Sequence, residues 1–263
     1  MKAQSVLSEA SIVLAPAFDQ LRPQLLQGCK DLGLTQVSDH QLNKLLAYLQ
    51  QLDRWGKVFN LTAVRDPAQM ISLHLLDCLA LVASLQKRFA DKPLRILDVG
   101  SGAGLPAIVL AIMSEPINRG LTPLKNKWGQ KNKWGQTPIY FWDVHSVDSV
   151  EKKVAFQRQV KAALGLENLS PIHGRIQTIQ AESFDLITCR AFAELNDFYT
   201  QSGRLLSRGG MYCAMKGQQL AGETERLLAC EPTPIISQIE HLSVPSLSDA
   251  QRHLVWFAPA NVD

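Results

Sequence analysis

ILDVGSGAGLP, residues 96–106, decides the fold. A short apolar run of strand type ends in Gly100-Ser101-Gly102-Ala103-Gly104 and passes into the apolar helical run IVLAI. Glycine at every second position makes a turn with room for a ligand to approach the backbone, at a helix N-terminus and the carboxyl end of a strand. Gly102, Gly104 and Ala107 also satisfy the relaxed dinucleotide fingerprint, so the loop by itself leaves its ligand open.

Outward from this loop, strand-type runs alternate with helical stretches. The runs are RILDV (95–99), YFWDVHSVD (140–148), LSPIHG (169–174), FDLITC (184–189), MYCAM (211–215) and HLVWFA (253–258). Between them, EKKVAFQRQVKAALGL (151–166) has helical periodicity. Strands separated by helices predict parallel βαβ units in a doubly wound α/β sheet. The last two strands, separated by a stretch holding Pro232, Pro234 and Pro245, are expected to close the sheet as a hairpin or edge pair.

Asp98 discriminates between ligands. A pyrophosphate at this loop is repelled by a neighbouring carboxylate, whereas S-adenosylmethionine (SAM) presents an amino-acid end and a sulfonium that a carboxylate attracts. SAM is therefore favoured over a nicotinamide or flavin cofactor. Either nucleotide needs a second acid after the next strand to hold ribose hydroxyls, usually about 20 residues on. Position 124 lies in LTPLKNKW, which is no strand end. The matching acid is Asp148, and the extra length contains KNKWGQKNKWGQ (125–136), an exact tandem hexamer. Residues 114–138 thus read as an inserted surface loop, which chains tolerate well.

That insertion also accounts for the net charge of +3: it carries five basic residues and one acid, and the rest of the chain is net −1. Bulk charge therefore gives no argument for nucleic acid. The five cysteines are odd in number, with no pair at zinc or redox spacing, and are expected as reduced thiols; no metal site is predicted. No run approaches the ~18 apolar residues of a membrane span, and a cytosolic protein is expected.

Before the sheet, Ser38 and Gln41 form a capping box ahead of Leu42, Leu45, Leu46, Leu49 and Leu52, predicting a helix that ends near Trp55-Gly56. Asp66-Pro67 is a second helix start, predicting a helix to about Leu85 that displays His74 and Asp77. The domain reading is a 1–36 extension with one short helix, a 37–90 helical lead-in packed on the catalytic domain, and a 91–263 cofactor-binding domain.

Several stretches together resemble one family, ribosomal RNA small subunit methyltransferase G, also called glucose-inhibited division protein B. They are NLTAVRDPAQMISLHLLDCLAL (60–81), ILDVGSGAGLPAIVLAI (96–112), VDSVEKKVAFQRQV (147–160), FDLITCRAFAELNDF (184–198), MKG (215–217) and RHLVWFA (252–258). The resemblance implies a Rossmann-like, seven-stranded SAM-dependent methyltransferase fold and methylation at N7 of a guanine in 16S rRNA near the decoding site. It places cofactor contacts at Gly100, Leu105, Asp148, Ser149, Val150, Ile176, Gln177 and Arg190, beside Asp98, Gly102 and Gly104 of the loop. Position 177 is often glutamate in the family pattern; Gln177 retains an amide that can bond an adenine edge.

Arg190, at the end of a strand, is the best single candidate for organising the site. Lys216 is a second catalytic candidate and a possible partner of an RNA phosphate. Phe192 is a candidate for stacking on a base. Arg65 and His74 are expected to face the cleft and grip RNA, with Asp77 paired to one of them. The partner expected is 16S rRNA or the 30S subunit, with a monomeric protein and no membrane association. The competing readings are a SAM-dependent methyltransferase of a non-RNA substrate, a catalytically idle ribosome-binding protein and, last, a nicotinamide oxidoreductase.

Overall fold

The computed structural model describes residues 12–90, 92–114, 142–217, 220–245, 247 and 251–260. The KNKWGQ repeat, and all but the first residue of the predicted insertion, lie outside them.

The chain opens with two helices, α1 (Pro16–Asp19) and α2 (Arg22–Asp31), where the sequence predicted one. Phe18, Leu25 and Cys29 are buried, so this segment is part of the core. Helix α3 (Asp39–Phe59) begins at the predicted capping box, with Gln41 N–H donating to Ser38 Oγ and the Gln41 side chain accepting from Ser38 N–H. Leu42, Leu45, Leu46, Leu49 and Leu52 are all buried. The helix runs past the predicted stop at Gly56 to Asn60, whose left-handed φ of 53° ends it.

Asp66 caps the next helix by accepting from Ala68 N–H, as Asp-Pro predicts. This helix is continuous but changes character: α4 (Pro67–Met70), a π-helical turn (Ile71–Leu76) and α5 (Asp77–Phe89). By length and composition it is apolar enough to cross a membrane, but most of its apolar window lies inside the fold.

The strands are β1 (Leu94–Val99), β2 (Trp142–Asp148), β3 (Leu169–His173), β4 (Phe184–Arg190), β5 (Leu206–Lys216), β6 (Pro234–Leu242) and β7 (Arg252–Pro259). The helices among them are α6 (Ala107–Met113), α7 (Glu151–Leu164), α8 (Leu195–Ser202) and α9 (Ala221–Leu228). The sheet order is β3-β2-β1-β4-β5-β7-β6. Strands β1 to β5 pair in parallel, while β7 runs antiparallel between β5 and β6. The residue-by-residue reading did not count β6, and β7 pairs with both of its neighbours.

The order reverses between β1 and β4, which places a crevice at their carboxyl ends, where open α/β sheets take their ligands. One face of the sheet is covered by a core that joins α3, α5, α6 and α7. The other is filled by Leu97, Val99, Ile187, Phe198, Tyr212 and Phe257. Four of the cysteines are buried and Cys230 is half-buried, all as free thiols.

Candidate active site

The glycine loop leaves β1 at the crevice and is braced from four directions. Gly100 and Ser101 N–H groups both donate to Val147 O, at 2.9 and 3.1 Å. Gly102 N–H donates to Asp148 Oδ2 (2.8 Å), and its carbonyl accepts from Gln157 Nε2 of α7 (2.8 Å). The Ala103 carbonyl accepts from the Tyr48 hydroxyl of α3 at 2.9 Å. Ser101 Oγ and Ala107 N–H both donate to Asp98 Oδ2, at 2.5 and 3.1 Å. These bonds commit backbone groups of the loop inward, to the strands and helices around it.

Its three glycines have φ of +69°, +59° and +91°, a region that side chains disfavour. A Cβ on Gly104 would lie 2.3 Å from Ile108 Cδ1, so this glycine seats the loop on α6. A Cβ on Gly102 would meet nothing nearer than 4.0 Å. That open surface on a braced backbone is the cradle a small ligand needs, and the residues present fit a nucleoside-type group. Leu105 is buried behind it.

The position of Asp98 corrects its expected role. It is fully buried beneath the loop and braces it; it does not reach the mouth to attract a cationic end directly. Burial pushes its pKa up to about 7, against the pull of its two hydrogen bonds. Its Oδ1 is buried with no hydrogen-bond partner among the described residues.

Asp148, at the end of β2, accepts from Gly102 N–H and, through Oδ1, from Val150 N–H at 2.9 Å. Lys153 Nζ lies 3.8 Å from it. Ser149 is exposed, and its carbonyl faces His173 Nε2 at 3.2 Å. After β3, Ile176 is buried and Gln177 exposed, with Gln177 Nε2 donating to Gln201 Oε1 (2.9 Å). Arg204 fixes this turn by donating to the carbonyls of Ile176 and Ile179, at 2.8 and 2.6 Å. Tyr48, Gln157 and Arg204 were not among the expected site residues.

Arg190 ends β4, across the crevice from the loop. Its Nη1 donates to Leu73 O (3.1 Å) and Asp77 Oδ2 (3.0 Å) and lies 3.6 Å from Cys78 Sγ; Nη2 lies 3.3 Å from His74 Nδ1. All four partners come from the π turn and the start of α5. The Nε–H and one Nη2–H have no acceptor among the described residues. Asp77 was expected to pair with Arg65 or His74; it is instead shared between Arg190 and Arg252, whose Nε lies 3.3 Å from Oδ1.

The RNA candidates are not brought together. Arg65 folds onto the end of α3, donating to Gly56 O (2.9 Å) and Asn60 Oδ1 (3.0 Å). His74 is buried, its Nε2 2.8 Å from Thr62 Oγ1. Phe192 lies over Gly100, where a Cβ would come within 2.4 Å of its ring. Between Phe192 and Arg190, Ala191 has φ +50°, a strained value of the kind that gathers at functional sites. Lys216 is 10% exposed and already engaged, donating to Ala193 O (2.8 Å) and paired with Glu223 (2.6 Å). Glu223 also accepts from Leu195 N–H, and Arg226 pairs with Glu194. The KG and RAFAEL stretches therefore meet, and Lys216 holds the 191–195 segment over the crevice.

A 3-2-1-4-5-7-6 sheet with a braced glycine loop, an acid after β2 and a strained segment beyond β4 defines a SAM-dependent methyltransferase. Coclaurine N-methyltransferase bound to N-methylheliamine and SAH shares the fold, with a TM-score of 0.50 over 91% of this chain and 95% of that one at 9% identity. The family described as rRNA small subunit methyltransferase G matches residues 41–127 and 140–255, and the chain belongs to that family. Ribosomal RNA small subunit methyltransferase G of Leptothrix cholodnii is 40% identical, across 92% of this chain and 97% of that one. The protein of the same name from Polaromonas naphthalenivorans is also 40% identical, across 94% and 100%.

Proposed function

We propose that this protein transfers the SAM methyl group to N7 of a guanine in 16S rRNA near the decoding site, acting on the rRNA or the 30S subunit in the cytoplasm as a monomer. The observation that carries the reading is the braced glycine loop opposite Arg190 at the β1/β4 crevice, in a chain of this family. Gly100, Gly102, Leu105, Asp148, Ser149, Val150, Ile176, Gln177 and Arg190 would hold the cofactor.

Bound SAM supplies an electrophilic methyl on a sulfonium. Guanine N7 offers a lone pair and carries no proton, so the protein needs no general base; its task is to hold N7 in line with the methyl. The free N–H groups of Arg190 are rigidly aimed donors for a carboxylate or a base edge, a preorganised arrangement that costs no reorganisation during reaction. Phe192, half-buried over Gly100, offers a ring face against which an unstacked base can rest. Lys216 serves indirectly, by fixing the carbonyl of Ala193.

The test is transfer from radiolabelled SAM to 30S subunits lacking N7-methylguanosine, with digestion to identify the labelled base. N7-methylguanosine in 16S rRNA is the expected product. Label on another base or on protein, or none on either subunits or free rRNA, would overturn the substrate reading.

A further inference from the structure

Among the described residues, His74 makes no hydrogen bond to the glycine loop. It sits 7% exposed inside the π turn, between the NLTAVR strap and Arg190. On one side its Nε2 is 2.8 Å from Thr62 Oγ1; on the other its Nδ1 is 3.3 Å from Arg190 Nη2. Arg190 can only donate, so its approach to Nδ1 favours an accepting Nδ1 and a ring proton on Nε2. Thr62 Oγ1 completes the chain by accepting from that proton while also taking Val64 N–H at 3.1 Å. Strap, imidazole and guanidinium thus form one directional relay.

The partners of Arg190 divide its work. Asp77 and the Leu73 carbonyl both take Nη1, which the Cys78 sulfur also approaches at 3.6 Å, and none of the three restrains Nη2. Among the described residues, His74 alone holds Nη2. Holding the second nitrogen as well narrows the tilt of a planar fork and the direction of its remaining N–H groups.

We propose that His74, oriented by Thr62, is the positioning residue that aims Arg190 at the cofactor site, and that it makes no contact with RNA. This rests on the reading of Arg190 as a SAM-facing residue. The groups that face His74 are Thr62, the Leu73 carbonyl and Arg190 and, through Arg190, Asp77 and Cys78; all remain in place in the variants below.

Three substitutions separate positioning from simple packing. Asparagine puts an amide oxygen near the Nδ1 position, glutamine puts its amide near Nε2, and leucine supplies neither. Calorimetric SAM affinity is expected to fall roughly tenfold or more in His74→Leu and His74→Gln, the range for a lost hydrogen bond to a charged group. His74→Asn should recover most of it, with similar melting temperatures for the two amide variants. Independently of cofactor, imidazole 15N–1H spectra of the free protein should show Nε2 protonated and Nδ1 bare. If the wild type binds SAM and all three variants bind it alike, or if Nδ1 carries the proton, the proposal is wrong while the methyltransferase reading stands. Failure of the wild type to bind SAM would remove that reading, and with it the role assigned to Arg190.

Discussion

Tyr48→Phe removes one oxygen from α3, yet its effect should be felt at the cofactor loop. The Tyr48 hydroxyl is fully buried and donates to the Ala103 carbonyl at 2.9 Å. Phenylalanine keeps the ring and its packing against Phe156, so the change isolates the hydrogen bond. A buried carbonyl left without a donor costs about 1–3 kcal/mol. At ~1.5 kcal/mol, a chain of this size should lose roughly 3–6 °C of melting temperature. Gly102 and Gly104 flank that carbonyl, so the loop also loses part of its preorganisation, and SAM affinity should drop about three- to tenfold. Differential scanning fluorimetry with and without SAM, alongside calorimetric titration, measures both quantities. A variant that melts within a degree of wild type and binds SAM equally well would refute the idea that α3 braces the loop.

Gly102→Ala tests the cradle: left-handed backbone costs an L-residue about 1–2 kcal/mol. The new methyl would enter the open space above the loop, so SAM affinity should fall by far more than stability, by roughly tenfold or more, as read by titration and chemical denaturation. Asp98 sets a pH dependence. Its folded pKa of about 7 lies above the ordinary carboxylate value, so the folded state holds this proton more tightly. Its contribution to stability is therefore full below the unfolded pKa and declines as pH rises from about 4 through 7. Asp98→Asn should flatten this decline, and equal slopes of stability against pH for the two proteins, read by chemical denaturation from pH 4 to 8, would count against it.

Local chemistry made much of the fold readable in advance. The Ser38–Gln41 box, the Asp66-Pro67 start and the glycine loop each act within a few residues, and the buried strands β1 and β4 are apolar along most of their length. Strand β6 escaped because it is an edge: only Pro234 and Leu242 are buried in it, while Ile235 and Ile239 stand on its exposed face, so its apolar residues show neither alternation nor a core run. Gly56 did not stop α3: its carbonyl takes the helical bond from Asn60 N–H, and the left-handed turn falls at Asn60 instead.

The candidate site divides in the same way. Its glycines, its acids and Arg190 stand out as residue types at strand ends, but their tasks depend on partners distant in the chain. Tyr48 and Gln157 each reach the loop across 55 residues, and Arg190 meets His74 across 116. Asp98 alternates with its neighbours along β1, and only packing decides whether such a carboxylate meets solvent or lies beneath the loop. Hydrogen bonds in the site are closed by whichever groups the sheet order brings within 3 Å or so, and that order is set by burial of the whole core. The sequence therefore names the chemical groups, and the tertiary structure assigns which of them bind, which brace and which aim.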